Sequence, residues 1–234
     1  MDKDSYSEIS WDKIKKNIAS IIDHTNLHPD ATNKDIEQLC KEAIEWGTAA
    51  VCVAPYYVEK CKNILDKTDI KVCTVIGFPL GANKSEVKTL EAKEALKDGA
   101  DELDMVINIG ALKSSDYTPV FQDIEQIAEL AEDKILKVIL ETALLTEEEI
   151  IRACEIAEEA GADFVKTSTG FTKEGATAKN VKLMRNTVGS RLGVKAAGGI
   201  KTYEQAQKMV EAGANRIGAS SSGQIIMGSH PDTP

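Results

Sequence analysis

The sequence contains no C-x-x-C pair, and its five cysteines (Cys40, Cys52, Cys61, Cys73 and Cys154) are scattered and odd in number. That argues for reduced thiols and against a zinc or disulfide framework. Neither G-x-G-x-x-G nor G-x-x-x-x-G-K occurs, so the usual glycine-rich nucleotide turns are missing. No stretch approaches the roughly 18 consecutive apolar residues of a membrane span. The start, Met1-Asp2-Lys3-Asp4-Ser5, lacks the apolar core of an export signal. A cytoplasmic protein is the expectation, and the Asn83-Lys84-Ser85 sequon then carries no weight. There is no excess of basic residues either: the formal net charge is −10, which argues against nucleic acid as a partner. A small phosphorylated ligand stays possible, because backbone amides bind phosphate against an unfavourable global charge. No linker, low-complexity tract or charge block marks a second domain.

What is present is a regular alternation. Apolar residues make up 42% and charged residues 28%, ordinary for a globular protein, and 234 residues suit one domain of the α/β barrel kind or two small ones. Eight segments read as strands: 20–24, 49–54, 71–77, 102–107, 135–141, 164–168, 193–197 and 215–219. Helical periodicity follows each of the first seven, as in Asn33–Trp46, Lys84–Asp98, Pro119–Glu132, Glu147–Ala160 and Tyr203–Ala212. Thr146 with Glu149 has the spacing of a capping box. Several helices end alike, in Asp98-Gly99-Ala100-Asp101, Ala160-Gly161-Ala162-Asp163 and Ala212-Gly213-Ala214-Asn215, echoing one βα unit. Strands alternating with helices imply a parallel sheet, and eight such units close most naturally into a TIM (β/α)8 barrel. A doubly wound open sheet is the alternative, but it would want the missing nucleotide turn. The expected organisation is a leader helix in 1–19, a barrel over 20–225 and a tail over 226–234, with the leader helix resting on Ile9, Trp11, Ile14, Ile18 and Ile21.

Two strands carry an anomaly. In Phe164-Val165-Lys166-Thr167-Ser168-Thr169-Gly170, a lysine sits inside an apolar strand that ends in hydroxyl residues and glycine. A charged group on a buried face must be paired, neutralised or kept for chemistry. A single strand lysine can snorkel to water, but the pattern returns in Val194-Lys195-Ala196-Ala197-Gly198-Gly199. Other polar residues also fall late in their strands: Asp23, Cys52, Asp104, Glu141, Ser220 and Ser221. Each has a bland explanation alone, as a turn residue, a small core hydrophobe or a surface carboxylate. A closed barrel would gather them all at one mouth, where barrel sites lie.

Their chemistry is coherent. An amine attacks a carbonyl only when unprotonated, and a free lysine with a pKa of about 10.4 is almost wholly ammonium at pH 7. Desolvation and a neighbouring cation both favour the neutral amine. Of two inward lysines on adjacent strands, one can serve as nucleophile while the other stays charged, with Asp104 as the proton-handling partner. An iminium draws electrons from the adjacent carbon–carbon bond, so the natural reaction is aldol cleavage or condensation, needing neither metal nor cofactor. Gly170, Gly199, Ser220 and Ser221 end the last three strands, where barrels commonly hold phosphate. On spacing alone Gly198-Gly199 could equally be a plain tight turn.

These blocks, together with Ile22-Asp23-His24-Thr25, Gly77-Phe78-Pro79-Leu80-Gly81, Leu140-Glu141-Thr142 and Gly218-Ala219-Ser220-Ser221, resemble the class I deoxyribose-phosphate aldolases over about residues 20–225. The resemblance implies a TIM barrel and reversible cleavage of 2-deoxy-D-ribose 5-phosphate to glyceraldehyde 3-phosphate and acetaldehyde. It implies Lys166 as the Schiff-base lysine, Lys195 as its neighbour and Asp104 as the acid/base partner. Asp23 and Cys52 would line the mouth, and Gly170, Gly199, Ser220 and Ser221 would cradle the phosphate. Two departures stand out. The tail Gly228–Pro234 has no tyrosine, and Phe171 stands where some relatives carry a lysine, so phosphate would be held less by charge. Another Schiff-base aldolase or transaldolase, or a non-catalytic phosphosugar-binding barrel, remains an alternative. Barrels often pair through outer helices, which makes a homodimer the expected assembly.

Overall fold

The structure, a computed structural model, describes residues 6, 7 and 9–228. Eight parallel strands close into a barrel in sequence order, with β8 pairing β1. They are β1 Ile22–Asn26, β2 Ala50–Val53, β3 Lys71–Ile76, β4 Glu102–Val106, β5 Ile135–Ile139, β6 Phe164–Lys166, β7 Gly193–Ala197 and β8 Arg216–Ala219. Each is followed by a helix: α1 Asn33–Trp46, α2 Val58–Leu65, α3 Ser85–Lys97, α4 Tyr117–Ala131, α5 Glu147–Glu159, α6 Ala178–Val188, α7 Tyr203–Glu211 and α8 Ser222–Gly228. An extra turn, Ile109–Lys113, precedes α4. This is the TIM barrel read from the alternation. The tail residues 229–234, and with them the missing tyrosine, lie outside the described residues.

Local chemistry sets the element ends. Threonine capping boxes open α1 (Thr32 with Asp35), α5 (Thr146 with Glu149) and α7 (Thr202 with Gln205). The recurring Gly-Ala-Asp/Asn has a second role beyond ending a helix. Asp101, Asp163 and Asn215 each precede an even-numbered strand and accept, through a side-chain oxygen, the backbone N–H of Val72, Leu136 and Val194 at 2.9–3.0 Å. Their own amides donate back to the carbonyls of the same three residues. The repeat thus staples β4, β6 and β8 to the strand before each.

Over its described residues the leader is not the single helix expected within 1–19. It makes one helical turn, Trp11–Ile14, then a 3-10 turn, Ile18–Ile21. Ser10 offers no side-chain cap and Lys15-Lys16-Asn17 supply no apolar contact, so four residues of helix are all that form. Trp11 packs edge-on against Tyr203, and Ile18, Ala19 and Ile21 are buried.

The main apolar core lies between sheet and helices, where Val51, Leu103, Met105, Val138, Val165 and Ile217 meet Ile36, Leu39, Ile124, Ile150 and Val181. Inside the barrel the apolar filling is small: Ala50, Cys52, Cys73 and Val75, with Leu27 and Phe78 above. Apart from the Phe164 ring, much of the remaining interior is ionic, unlike the branched apolar layers that fill most such barrels.

Candidate active site

Three carboxylates and four basic side chains share the barrel interior. Asp104, on β4, is their hub. Its Oδ2 accepts from Lys166 Nζ at 2.8 Å and from Lys195 Nζ at 2.7 Å. Its Oδ1 accepts from Lys137 Nζ at 2.8 Å and from the Cys73 thiol at 3.1 Å. Four donors fill the four lone-pair positions of one carboxylate. Below this hub, Asp23 takes Lys195 and Arg216, the latter at 2.7 Å. Arg216 also reaches Glu102 at 3.3 Å and lies over the Phe164 ring. Lys137 Nζ is 2.5 Å from Glu102 Oε2, an ion pair whose angle falls outside hydrogen-bond geometry.

The strands explain why these groups meet. Lys166 pairs with Lys195 across β6–β7, and Asp104 with Lys137 across β4–β5. In parallel register, paired residues point to the same face. Room for the long stems comes from glycine: a Cβ at Gly218 would lie 3.0 Å from Lys195 Cε, and one at Gly193 would lie 2.1 Å from the Phe164 ring.

The electrostatics follow from burial and pairing. Burial alone would raise Asp104, but the ammonium groups of Lys137, Lys166 and Lys195 outweigh it and hold this carboxyl well below the usual range. Asp23 is lowered in the same way, against burial, by Lys195, Arg216 and Lys137. Burial pushes Lys195 down, yet Asp104 and Asp23 dominate and raise it, so Lys195 stays an ammonium. Lys137 is raised similarly, chiefly by Asp104, against its own burial. Burial, the hydrogen bond with Cys52 and the Asp104 carboxylate push the Cys73 thiol up, keeping it a donor. Three carboxylates therefore balance Lys137, Lys195 and Arg216. The cluster holds one basic group more than it has carboxylates.

That fourth group, Lys166, is also the one that reaches the outside. A pocket of about 230 Å³ opens at the C-terminal end of the barrel, and Lys166 forms its floor. Thr25, His28 and Leu27 stand on one side, Gly170, Phe171, Gly198 and Gly199 on another, with Lys201 and Ser220 at the rim. Gly170, Gly198 and Gly199 hold φ of +86°, +90° and +76°, a region costly for residues with a Cβ. Phe171 meets Phe78 edge-on, ring centroids 5.2 Å apart, so the loops after β3 and β6 join across the mouth.

Of the residues singled out in the sequence, Lys166, Gly170, Gly199 and Ser220 line this pocket, with Lys195 and Asp104 directly beneath. Asp23 and Cys52 are fully buried and sit under the pocket rather than on its wall. Ser221 is off the wall too; its carbonyl accepts from Gln224 and Ile225 in the first turn of α8. Two thiol–carboxylate groups, Cys52–Cys73–Asp104 and Asp23–Cys73–Glu102, are compact enough to touch one metal ion. Their carboxylates are already taken up by ammonium and guanidinium groups, which a dication would have to displace.

This arrangement can hold a carbonyl over one amine with a charged proton donor beside it. Comparison with known proteins agrees: residues 18–228 match the model of the DeoC/LacD family aldolases. The chain belongs to the DeoC/LacD family of aldolases. It is 62% identical over 215 residues to the deoxyribose-phosphate aldolase of Thermococcus gammatolerans, covering 90% of this chain and 96% of that one. With the corresponding protein of Thermococcus kodakarensis it shares 60% over 222 residues, 93% and 99% of the two chains. The solved deoxyribose phosphate aldolase of Aeropyrum pernix, described as tetrameric, superposes with a TM-score of 0.87 at 34% identity, covering 94% and 93%.

Several site residues of this aldolase escaped the sequence reading. Lys137, in Ile-Leu-Lys-Val-Ile, carries the same signal as Lys166, a lysine inside an apolar strand, but no glycine follows it. Arg216 offers a fainter version, opening Arg-Ile-Gly-Ala. His28 and Lys201 stand on loops with no periodicity to mark them.

Proposed function

We propose that this chain reversibly cleaves 2-deoxy-D-ribose 5-phosphate to glyceraldehyde 3-phosphate and acetaldehyde through an imine on Lys166. The observation that carries the reading is that Lys166, of the basic groups bonded to Asp104, lies on the pocket floor, and that it shares one carboxylate oxygen with the ammonium of Lys195. The relatives' names supply the particular sugar. The other end of the pocket suits a phosphate, with left-handed glycines that let the backbone approach closely, the Ser220 side chain and the Lys201 cation.

In this reading the Lys166 amine attacks the C1 aldehyde and the carbinolamine loses water. Lys195, held as an ammonium against Asp104, donates the proton that water needs to leave, and Asp104 passes protons between the two nitrogens without itself remaining protonated. The iminium then accepts the electrons of the C2–C3 bond as the C3 hydroxyl loses its proton, releasing glyceraldehyde 3-phosphate. The enamine left on Lys166 is protonated at C2, and hydrolysis frees acetaldehyde and the amine. Because Lys195 gives up its proton as the iminium forms, positive charge moves onto the substrate-bound nitrogen with no change in net charge, and Asp104 is adjacent to stabilise it.

Homo-oligomeric assembly belongs to the same proposal, supported by the tetrameric relative; sedimentation equilibrium decides between two and four copies. No described helix is long and apolar enough to cross a membrane, and five free, buried cysteines suit a reducing compartment. The test of the activity is borohydride reduction in the presence of acetaldehyde. A two-carbon mass should appear on the peptide bearing Lys166. Its absence, or its appearance on Lys195 or Lys137 instead, overturns the assignment.

A further inference from the structure

Glu141 follows β5 and has no part in the chemistry above, yet two unfavourable features meet at this one residue. Its carboxylate is buried, 1% exposed, and the partners it bonds are neutral donors. Its backbone lies at φ +57°, where glycine or asparagine would be at ease and glutamate is not. A buried carboxylate without a cation is costly, and so is a left-handed non-glycine residue. A fold needing only a turn here would be served better by another residue.

The hydrogen bonds of Glu141 converge on one loop. Its Oε2 accepts from the Thr169 amide at 3.2 Å and from the Thr169 hydroxyl, while Oε1 accepts from the Thr172 hydroxyl at 3.1 Å. Thr169 Oγ1 in turn accepts the Phe171 amide at 3.1 Å. The backbone on either side of Gly170 is therefore fixed, and Gly170 and Phe171 both stand on the pocket wall. The same loop begins three residues after Lys166, so its path also sets how the nucleophile's strand leaves the barrel.

We infer that Glu141 is a positioning residue for substrate selection: its two carboxylate oxygens clamp Thr169–Thr172 so that Gly170 and Phe171 form the wall against the phosphate end of the substrate. The inference rests on the reading of that end of the pocket given above. Both oxygens must accept, which explains why a carboxylate is kept where the backbone would prefer glycine.

Glu141→Gln keeps the size and removes one acceptor; Glu141→Gly removes the clamp and suits the backbone angle. Two readouts are needed, the ratio of kcat/KM for deoxyribose 5-phosphate over free deoxyribose, and the Kd of inorganic phosphate by calorimetry. The expected result for Glu141→Gln is a fall in the ratio of about tenfold, carried by KM, with a matching rise in the phosphate Kd, the size expected for a lost buried hydrogen bond to a charged group. Glu141→Gly should do the same or more while remaining folded. Equal losses on both sugars, or a phosphate Kd that does not move, overturn the positioning role. Borohydride trapping run alongside separates this from the aldolase reading: a wild-type protein that fails to trap acetaldehyde refutes the latter, while the phosphate Kd still judges Glu141.

Discussion

Lys166 and Lys195 donate to the same oxygen of Asp104, at 2.8 and 2.7 Å, so two basic nitrogens stand side by side in a site closed to water on all but the pocket side. Such closeness is costly for two ammonium groups and tolerable for one ammonium and one amine. Lys195 is held in the charged form by Asp104 and Asp23, and Lys166 is the one of the pair that faces the pocket.

Replacing Lys195 therefore acts on rate and on pH dependence together. Lys195→Ala should lower kcat by about 100-fold or more, the usual worth of a positioned acid/base group. It should also move the rising limb of the pH–rate profile to higher pH, because the cation that disfavours a second charge is gone. Slow borohydride trapping at Lys166 should survive. A lowered rate with an unshifted profile would mean that Lys195 serves only as proton donor.

The ion cluster also fixes the pH range of stability. Asp104 and Asp23 have folded-state pKa values below the ordinary 3.8, so the stability they contribute is present above that value and is lost as pH falls through their lowered folded values. Lys137 and Lys195 are raised above 10.5, so theirs is intact below 10.5 and is lost as pH rises through the raised values. Thermal melts should show a plateau between roughly pH 4 and 10, to the extent that this cluster dominates. Asp104→Asn leaves the buried ammonium groups of Lys137 and Lys195 short of one anion and should cost about 3–5 kcal/mol at pH 7 by urea denaturation. A loss under 1 kcal/mol would show that the cluster contributes little beyond chemistry.

The parts of this design legible in the sequence are those that periodicity carries. Strand and helix alternation yields the barrel, and Lys166 and Lys195 show themselves because each breaks an apolar strand just before a glycine turn. Lys137 breaks its strand equally but is followed by Val138 and Ile139, so a search tied to glycine passes over it. Depth along the barrel axis is a different matter. Asp23 looks like a mouth residue when its strand is read as 20–24, but β1 runs Ile22–Asn26 and puts it near the strand's start, and both Asp23 and Cys52 are fully buried off the pocket wall. A strand's exact start depends on its pairing with neighbours and leaves little mark within one. Loop residues such as Lys201 are invisible for the same reason: their place depends on where the turn at Gly198-Gly199 sends the chain.

The proposed phosphate site also yields a prediction for Lys201. Phe171 brings no charge to the pocket, but Lys201 at the rim supplies a cation that the proposed phosphate site can use. Lys201→Ala should raise KM for deoxyribose 5-phosphate by about tenfold, the worth of one partly exposed charge-assisted bond. The effect should shrink as salt is raised, since an exposed cation is screened. Steady-state kinetics on both sugars at low and high salt check this, and a KM that ignores the substitution would leave the backbone turns as the whole phosphate site.

Those turns rest on a glycine that does not itself touch the ligand. A Cβ at Gly175 would sit 2.1 Å from the carbonyl oxygen of Gly198 and 2.3 Å from its carbon, both backbone atoms that cannot swing aside. The Gly198 carbonyl already accepts the amide of Ala176 at 3.0 Å, so the two segments are joined at that point. Gly175→Ala must therefore displace the Gly198-Gly199 turn, and with it the pocket wall. Overpacking of this kind costs about 1–3 kcal/mol. Gly47→Ala is the matched control, because Gly47 has φ +67° but nothing within 4 Å of a new Cβ. It should lose about 1–2 kcal/mol from backbone strain alone and leave KM as it was, being at the end of α1. Gly175→Ala should lose stability and raise KM for the phosphorylated sugar together. If both variants soften the fold while neither alters KM, the Gly198-Gly199 turn does not form the phosphate end of the pocket.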